Sequence, residues 1–410
     1  VGATVVDVVS GRAIPNGTIL IRDGRILAVG SRDELRVPAG ARQTNLAGRW
    51  IIPGLIDAHA HLQPWGLAAS LAHGVTTVRD LHAGEPLSRE LTRSARAAGG
   101  PRLVQAVAMV DAPPTTYPDA IAVDSAGAAA AVDRAAALGA GWLKAYTRIT
   151  PDLMEEVVIA ARARRLPVAA HLGLTDARTA AGLGVRSIEH LSGIPEALGR
   201  ADALQAAHRA GFFQGWTAFA ESWSGLDTLA LDRLARELAA TGVVLVPTLG
   251  LHDTFARLDD SSVYRSPALA AVPDSARTNW NVPGMIARAG WTRDDYPIFR
   301  AGRPMQDRFV RTFAAVGGVV ATGTDASNQL LVPGAGIHLE MELLVHAGLP
   351  PIEALRAATV HGGTLLMADT LGRLQPNAVA DLVVLGGDPL ADIRNTRQVV
   401  RVMVAGRWID

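Results

Sequence analysis

The feature that most limits the fold of this chain is an alternation. Between residue 50 and about residue 365, short apolar runs recur, each followed by an Ala- and Arg-rich stretch with helical spacing. Apolar runs with no polar face read as parallel strands buried on both sides, and parallel strands need helical crossovers between them. The runs at 50–56, 75–79, 103–107, 141–146, 167–171, 185–189, 243–248 and 318–323 make eight βα units. Eight such units predict an α/β fold, a (β/α)8 TIM-like barrel, over residues 51–365.

The two ends of the chain have a different texture. Residues 1–50 alternate β-branched residues with the turn signals "PNG" and "RDG", and the pattern returns in "ADLVVLGGDPL" and "VVRVMVAGRWID". Residues 1–50 and 366–410 are therefore expected to combine into one small β-sandwich domain, with the barrel inserted between them. Within the barrel, one connecting helix has legible signals: Thr150 as N-cap, Pro151 at the first helical position, early acidic residues, then "RARR". From His252 to about Pro304 the chain makes an excursion too long for a simple connection, rich in Trp, Tyr and Pro, which suits a lid or binding loop.

Composition narrows the function. Formal net charge is +0, which leaves no electrostatic footprint for nucleic acid or an anionic membrane. No apolar run approaches the ~18 residues that cross a bilayer. The expected partner is a small-molecule substrate, and homo-oligomerisation stays open. The first residue is Val1 rather than Met, so an upstream segment is expected to have been removed or to lie outside this numbering, and a cytoplasmic and an exported protein are both compatible with that. With 0 Cys, thiolate chemistry is excluded and His, Asp, Glu and Lys are left as ligands and catalysts.

In a barrel of this kind, catalytic groups stand at the C-terminal ends of the strands. Run one ends in "DAHAH", which puts His59 and His61 on one side of a strand. Run five ends in His171, run six in His190 and run eight in Asp325, while run four carries Lys144. Four imidazoles and a carboxylate converging on one rim suit a borderline divalent metal, with Zn²⁺ the expected ion.

Lys144 is the one lysine in a chain with 39 basic residues. A neutral lysine amine can react with CO₂ to form a carbamate, an anion with two oxygens that can bridge two cations. Arginine stays protonated and cannot replace it there.

With "PGLIDAHAHL", "GVTTVRDL", "IEH", "GTDA" and "EALRAATVHGG…LGRLQPNAVADLVVL", the chain resembles the amidohydrolase superfamily, of the binuclear type with a carboxylated lysine. The resemblance covers nearly the whole chain, the split β domain included. It implies two divalent metal ions, with His59, His61 and Asp325 on one, His171 and His190 on the other, and N6-carboxylated Lys144 bridging them. The activity it implies is hydrolysis by attack of a metal-bridged hydroxide, with Asp325 moving the proton.

Within the superfamily the likeness is to the imidazolonepropionase-like group, which includes Xaa-Pro dipeptidases. The expected reaction is cleavage of an amide C–N bond in a dipeptide or N-acyl amino acid. Hydrolysis of a cyclic amide, lactone or amidine-type bond on the same site, or a scaffold without catalysis, are the alternatives. Peptidases of the group carry a GGH-type segment after strand three, whose His polarises the carbonyl, where this chain reads "AVAMVDAPPTTYP". His252 is the expected replacement, and Tyr146, on the same side of its strand as Lys144, is a candidate to contact substrate. Trp65, Trp216 and Trp223 are expected in rim loops, Arg300 or Arg303 as a cation for a substrate carboxylate, and His73, His82, His208, His338, His346 and His361 as structural.

Overall fold

The computed structural model describes residues 1–124, 126–199 and 201–409. Both ends of the chain meet in one seven-stranded sheet. Its order is Arg407–Ile409, Val399–Val404, Leu382–Leu385, Trp50–Pro53, Ala3–Asp7, Arg12–Arg22, Arg25–Ser31. The expectation of a sandwich is corrected here. Trp50–Pro53 pairs in parallel with Ala3–Asp7 on one side and antiparallel with Leu382–Leu385 on the other, which joins the N- and C-terminal strands into one ladder rather than two facing sheets. Val5, Ile26, Ile51, Leu382, Val384 and Met403 fill the core of this unit.

The run expected as one strand at 50–56 is two. Gly54 lies between them, at a point where any Cβ would collide with the Thr76 side chain and come within 2.9 Å of that of Asp381. Beyond the break, Leu55–Ala60 starts the parallel part of the molecule and is buried throughout, as is Val75–Asp80. Leu55–Ala60, Val75–Asp80 and Arg102–Gln105 form a three-stranded sheet. Met109–Asp111, Leu143–Ala145, Val168–Ala170, Ser187–Glu189 and Val244–Val246 form a second parallel sheet, edged by Ile121–Ala122.

The segment expected as strand eight is not drawn as a strand. It carries isolated parallel bridges, Val320 to Leu245 and Ala326 to Ala60. Its backbone is shared with polar partners: Thr324 N–H donates both to His59 O at 3.0 Å and to Asp57 Oδ1 at 3.1 Å. Gly323 stands where a Cβ would come within 2.7 Å of that of His59, so the segment approaches strand one as only glycine allows. At the opposite seam, Gly141 N–H donates to Gln105 O at 2.8 Å.

Helices connect these strands on the outside. Pro151–Ala163 begins as its sequence signals require, although Thr150, in the N-cap position, makes no side-chain capping bond. The excursion is folded, with helices Leu249–Phe255, Asp274–Asn279, Val282–Ala289 and Asp295–Ala301. It is tied down by Trp280 Nε1–H to Ser327 O at 3.2 Å and Trp291 Nε1–H to Thr217 Oγ1 at 2.7 Å. Among the described residues no helix is long and apolar enough to cross a membrane.

Candidate metal centre and its cavity

The strand ends bring all six expected ligands together. His59 is fully buried, and its Nε2 lies 3.2 Å from Asp325 Oδ1 and 3.5 Å from Lys144 Nζ. His61 Nε2 lies 3.1 Å from the same carboxylate oxygen. The His190 ring is 4.4 Å from that of His59 and 4.5 Å from that of His171, centroid to centroid. His190 and Asp325 bend the backbone into the left-handed region, φ 61° and 56°, where the strand ends turn. Such a conformation is uncommon outside glycine and clusters at functional sites.

What surrounds the imidazoles fixes which nitrogen faces inward. His59 Nδ1 is 2.7 Å from Glu189 Oε2, His61 Nδ1 is 3.1 Å from His82 O, and His190 Nδ1 is 2.8 Å from Thr248 Oγ1. A carboxylate and a carbonyl can only accept, so the Nδ1 of His59 and of His61 must carry the proton. With both imidazoles neutral, the Nε2 atoms present lone pairs to the buried Asp325 Oδ1; without a metal the same contacts are met by a proton shared with that carboxylate, which, although burial pulls the other way, raises the His61 pKa. Two lone pairs and an anionic oxygen aimed at one point repel each other unless a cation lies among them. His59, His61 and Asp325 place ligand atoms within 4.8 Å of one another, so the donor set fits a divalent metal.

Behind His59 the support continues. Glu189 Oε1 accepts from Arg79 Nη2 at 2.8 Å and from Ser187 Oγ at 2.5 Å, and the Arg79 guanidinium stacks 4.5 Å from Trp142. Although burial pushes Glu189 upward, Arg79 and His59 overcome that and hold it ionised, far below the usual carboxylate range. Burial also pushes the Lys144 ammonium down from 10.5 to about 8, which enriches the neutral amine a carbamate requires.

The cavity above these residues has a volume of about 470 Å³ and includes His61, Lys144, His171, His190 and Asp325 in its lining. Tyr146 lines it too, its ring 4.8 Å from that of His171. Burial, with Tyr117 beside it, raises its hydroxyl well above 10.0, so the phenol keeps its proton. His252 lies elsewhere. Its Nε2 donates to His190 O at 2.9 Å, its ring stacks on Trp216 at 5.5 Å, and it faces a separate cavity of about 220 Å³ behind the wall.

Other expectations about the rim change. Trp216 lines the cavity from helix Phe212–Ser222 rather than from a loop, Trp223 is wholly buried, and Trp65 stands in helix Pro64–Ala72 and packs against the small cluster of Val272, Val332 and Ala335. Arg300 is bound to Asp259 and Arg303 to Asp307, so the cation of the cavity is instead Arg288. His82, expected to be structural, lines the cavity, with Nε2 2.9 Å from Asp119 Oδ2. Trp291 lines the cavity from the excursion, while Phe212, Phe213, Phe255 and Asn328 were not anticipated, and Asn328 Nδ2 donates to Asp325 Oδ2 at 2.7 Å. Tyr117 comes from the "PPTTYP" segment that replaces the GGH-type sequence, the one signal that could have pointed to it.

The sequence profile of the amidohydrolase family matches residues 50–409. An imidazolonepropionase of Symbiobacterium thermophilum is 30% identical over 408 residues, covering 91% of this chain and 84% of that protein. Among solved structures, a bottromycin amidohydrolase is 25% identical with a TM-score of 0.72, covering 100% of this chain and 86% of the other. A Xaa-Pro dipeptidase solved with bound methionine is 19% identical with a TM-score of 0.71, covering 100% of this chain and 98% of the other.

Proposed function

Starting from the premise that this chain belongs to the amidohydrolase family, we propose that it is a binuclear metal-dependent hydrolase that cleaves the amide C–N bond of a small substrate such as a dipeptide or N-acyl amino acid. The observation that carries this reading is the convergence of His59 Nε2 and His61 Nε2 on one buried Asp325 oxygen, at 3.2 and 3.1 Å. His59, His61 and Asp325 would hold one ion, His171 and His190 the other, and carboxylated Lys144 would bridge them, with Zn²⁺ the ion best matched to the donors. When bound, two such ions lower the pKa of a shared water and polarise the scissile carbonyl. The same reading closes the two parallel sheets into a (β/α)8 barrel through the bridges at Val320 and Ala326, flanked by the domain of residues 1–50 and 366–410.

The chain's own groups do the rest. Asp325 takes the proton of the attacking water and passes it to the leaving nitrogen, and Asn328 on its Oδ2 keeps the carboxylate oriented. Tyr146, held protonated, can donate to the carbonyl oxygen as charge develops there. His252 works from behind, because its N–H is committed to His190 O and thereby fixes the turn that presents His190.

Purified protein assayed for metal content and against N-acyl amino acids and dipeptides, beside lactams and lactones, tests the proposal. About two metal equivalents, loss of amide hydrolysis on chelation with recovery on metal return, and an Asp325→Asn variant that keeps metal but loses about 10²–10⁴-fold in kcat are expected. Full activity in metal-free protein, or turnover confined to lactones, would overturn it.

A further inference from the structure

Away from the metal-facing residues, the cavity lining holds one permanently charged side chain, Arg288, on helix Val282–Ala289 of the excursion. Four arginines near the cavity are paired: Arg79 with Glu189, Arg257 with Asp253 and Asp260, Arg300 with Asp259, Arg303 with Asp307. Arg288 forms neither an ion pair nor a hydrogen bond among the described residues. Its guanidinium carbon rests 5.9 Å from the centroid of the Phe213 ring.

Rings line the way from Arg288 to the metal centre. Phe213 is 5.4 Å from Phe212, and Phe212 is 6.0 Å from His171 and stacked within 15° of Tyr146. Trp291 closes edge-on against Phe213 at 6.3 Å. A substrate with its carbonyl beside His171 therefore crosses flat apolar surface before it meets a cation. A guanidinium lying on an aromatic face with its donors free suits a planar carboxylate.

We propose that the substrate is an amide in which a flat aromatic group separates the scissile bond from a carboxylate, with Phe212 and Phe213 receiving the ring and Arg288 the carboxylate. This rests on the amide-hydrolase reading above and narrows it. In a simple dipeptide the carboxylate adjoins the scissile nitrogen with no ring between, so such compounds are the weaker substrates here.

The test compares 4-acetamidobenzoate with its neutral carboxamide and with N-acetylphenylalanine, in wild-type, Arg288→Ala and Arg288→Lys proteins. For the wild type, KM for 4-acetamidobenzoate should lie at least about tenfold below that for the carboxamide. Arg288→Ala should erase that gap through KM with kcat within about threefold, and Arg288→Lys should keep part of it. Equal KM values for acid and carboxamide, or an Arg288→Ala effect of the same size on both, would overturn the proposal. Tryptophan fluorescence titration with the same compounds separates the two readings. Arg288-dependent binding without hydrolysis refutes the amide-hydrolase reading alone, and hydrolysis indifferent to Arg288 refutes this one alone.

Discussion

His59 and Phe213 serve the same cavity, yet one is locked by neighbours on its far side and the other is held by ring packing. His59 leans on Glu189, which leans on Arg79, which leans on Trp142 and the carbonyl of Ala58. Phe213 touches Phe212, Trp291 and the guanidinium of Arg288, groups from its own helix and from the excursion. The inner half comes from strand ends, where the backbone ladder fixes each side chain and a second contact fixes its orientation. The outer half comes from connecting segments, whose geometry depends on how helices pack. Chemistry that tolerates no misplacement belongs to the first, and choice of substrate to the second.

Lys144→Arg probes the inner half most severely. The charge survives but no carbamate can form, so kcat/KM should fall about 10⁴-fold, more than ~5 kcal/mol of transition-state stabilisation. Lys144→Ala should fall as far and be partly rescued by short carboxylic acids, whereas Lys144→Arg should not. An active Lys144→Arg enzyme in a steady-state assay would break the assignment.

Glu340 stands at the seam between the halves. Its two oxygens accept the N–H groups of Leu249 and Gly250 at 2.9 and 2.8 Å, fixing the start of the helix that follows Thr248, the partner of His190. Burial raises its carboxyl from 4.5 to about 7, against those two hydrogen bonds and Arg303, which pull it down. The folded protein therefore keeps a proton that the unfolded chain releases above pH ~4.5. Stability should fall as pH rises from about 4.5 to about 7 and stay lower above, by on the order of 1–3 kcal/mol. Glu340→Gln should flatten that part of the Tm profile between pH 5 and pH 8. An unchanged slope would show that the seam does not titrate.

Phe212→Ala tests the outer half with the smallest expected effect. Lost stacking should raise KM about fivefold to tenfold for aromatic amides with kcat nearly unchanged, consistent with ~1 kcal/mol for an aromatic contact. A large fall in kcat would mean that this ring also positions the metal ligands, and the two halves would no longer be separable.

The legibility of the sequence follows the same division. Val168–Ala170 and Val244–Val246 were readable because strands buried on both faces must be apolar throughout, and His171 and His190 because each follows directly on the C-terminal end of such a strand. Strand eight was readable as a position but not as a ladder, since Thr324 shares its N–H with Asp57, a contact 267 residues away in sequence. His82 looked like any loop histidine, because nothing local shows that its carbonyl orients His61.

What the chain settles on its own is therefore local and periodic: the alternation of strand and helix, the spacing that sends His59 and His61 the same way, and a single lysine on one of the buried strands. Tertiary structure alone decides which cation faces the cavity. Arg300 and Arg288 lie within one excursion and look alike as sequence, but packing brings Asp259 to the first and leaves the second on Phe213, whereas Arg303 pairs locally with Asp307 one turn along its own helix. The reason is physical. Backbone hydrogen bonding repeats along the chain and leaves a pattern, whereas pairing between side chains far apart in sequence depends on distances that exist only once the helices have packed.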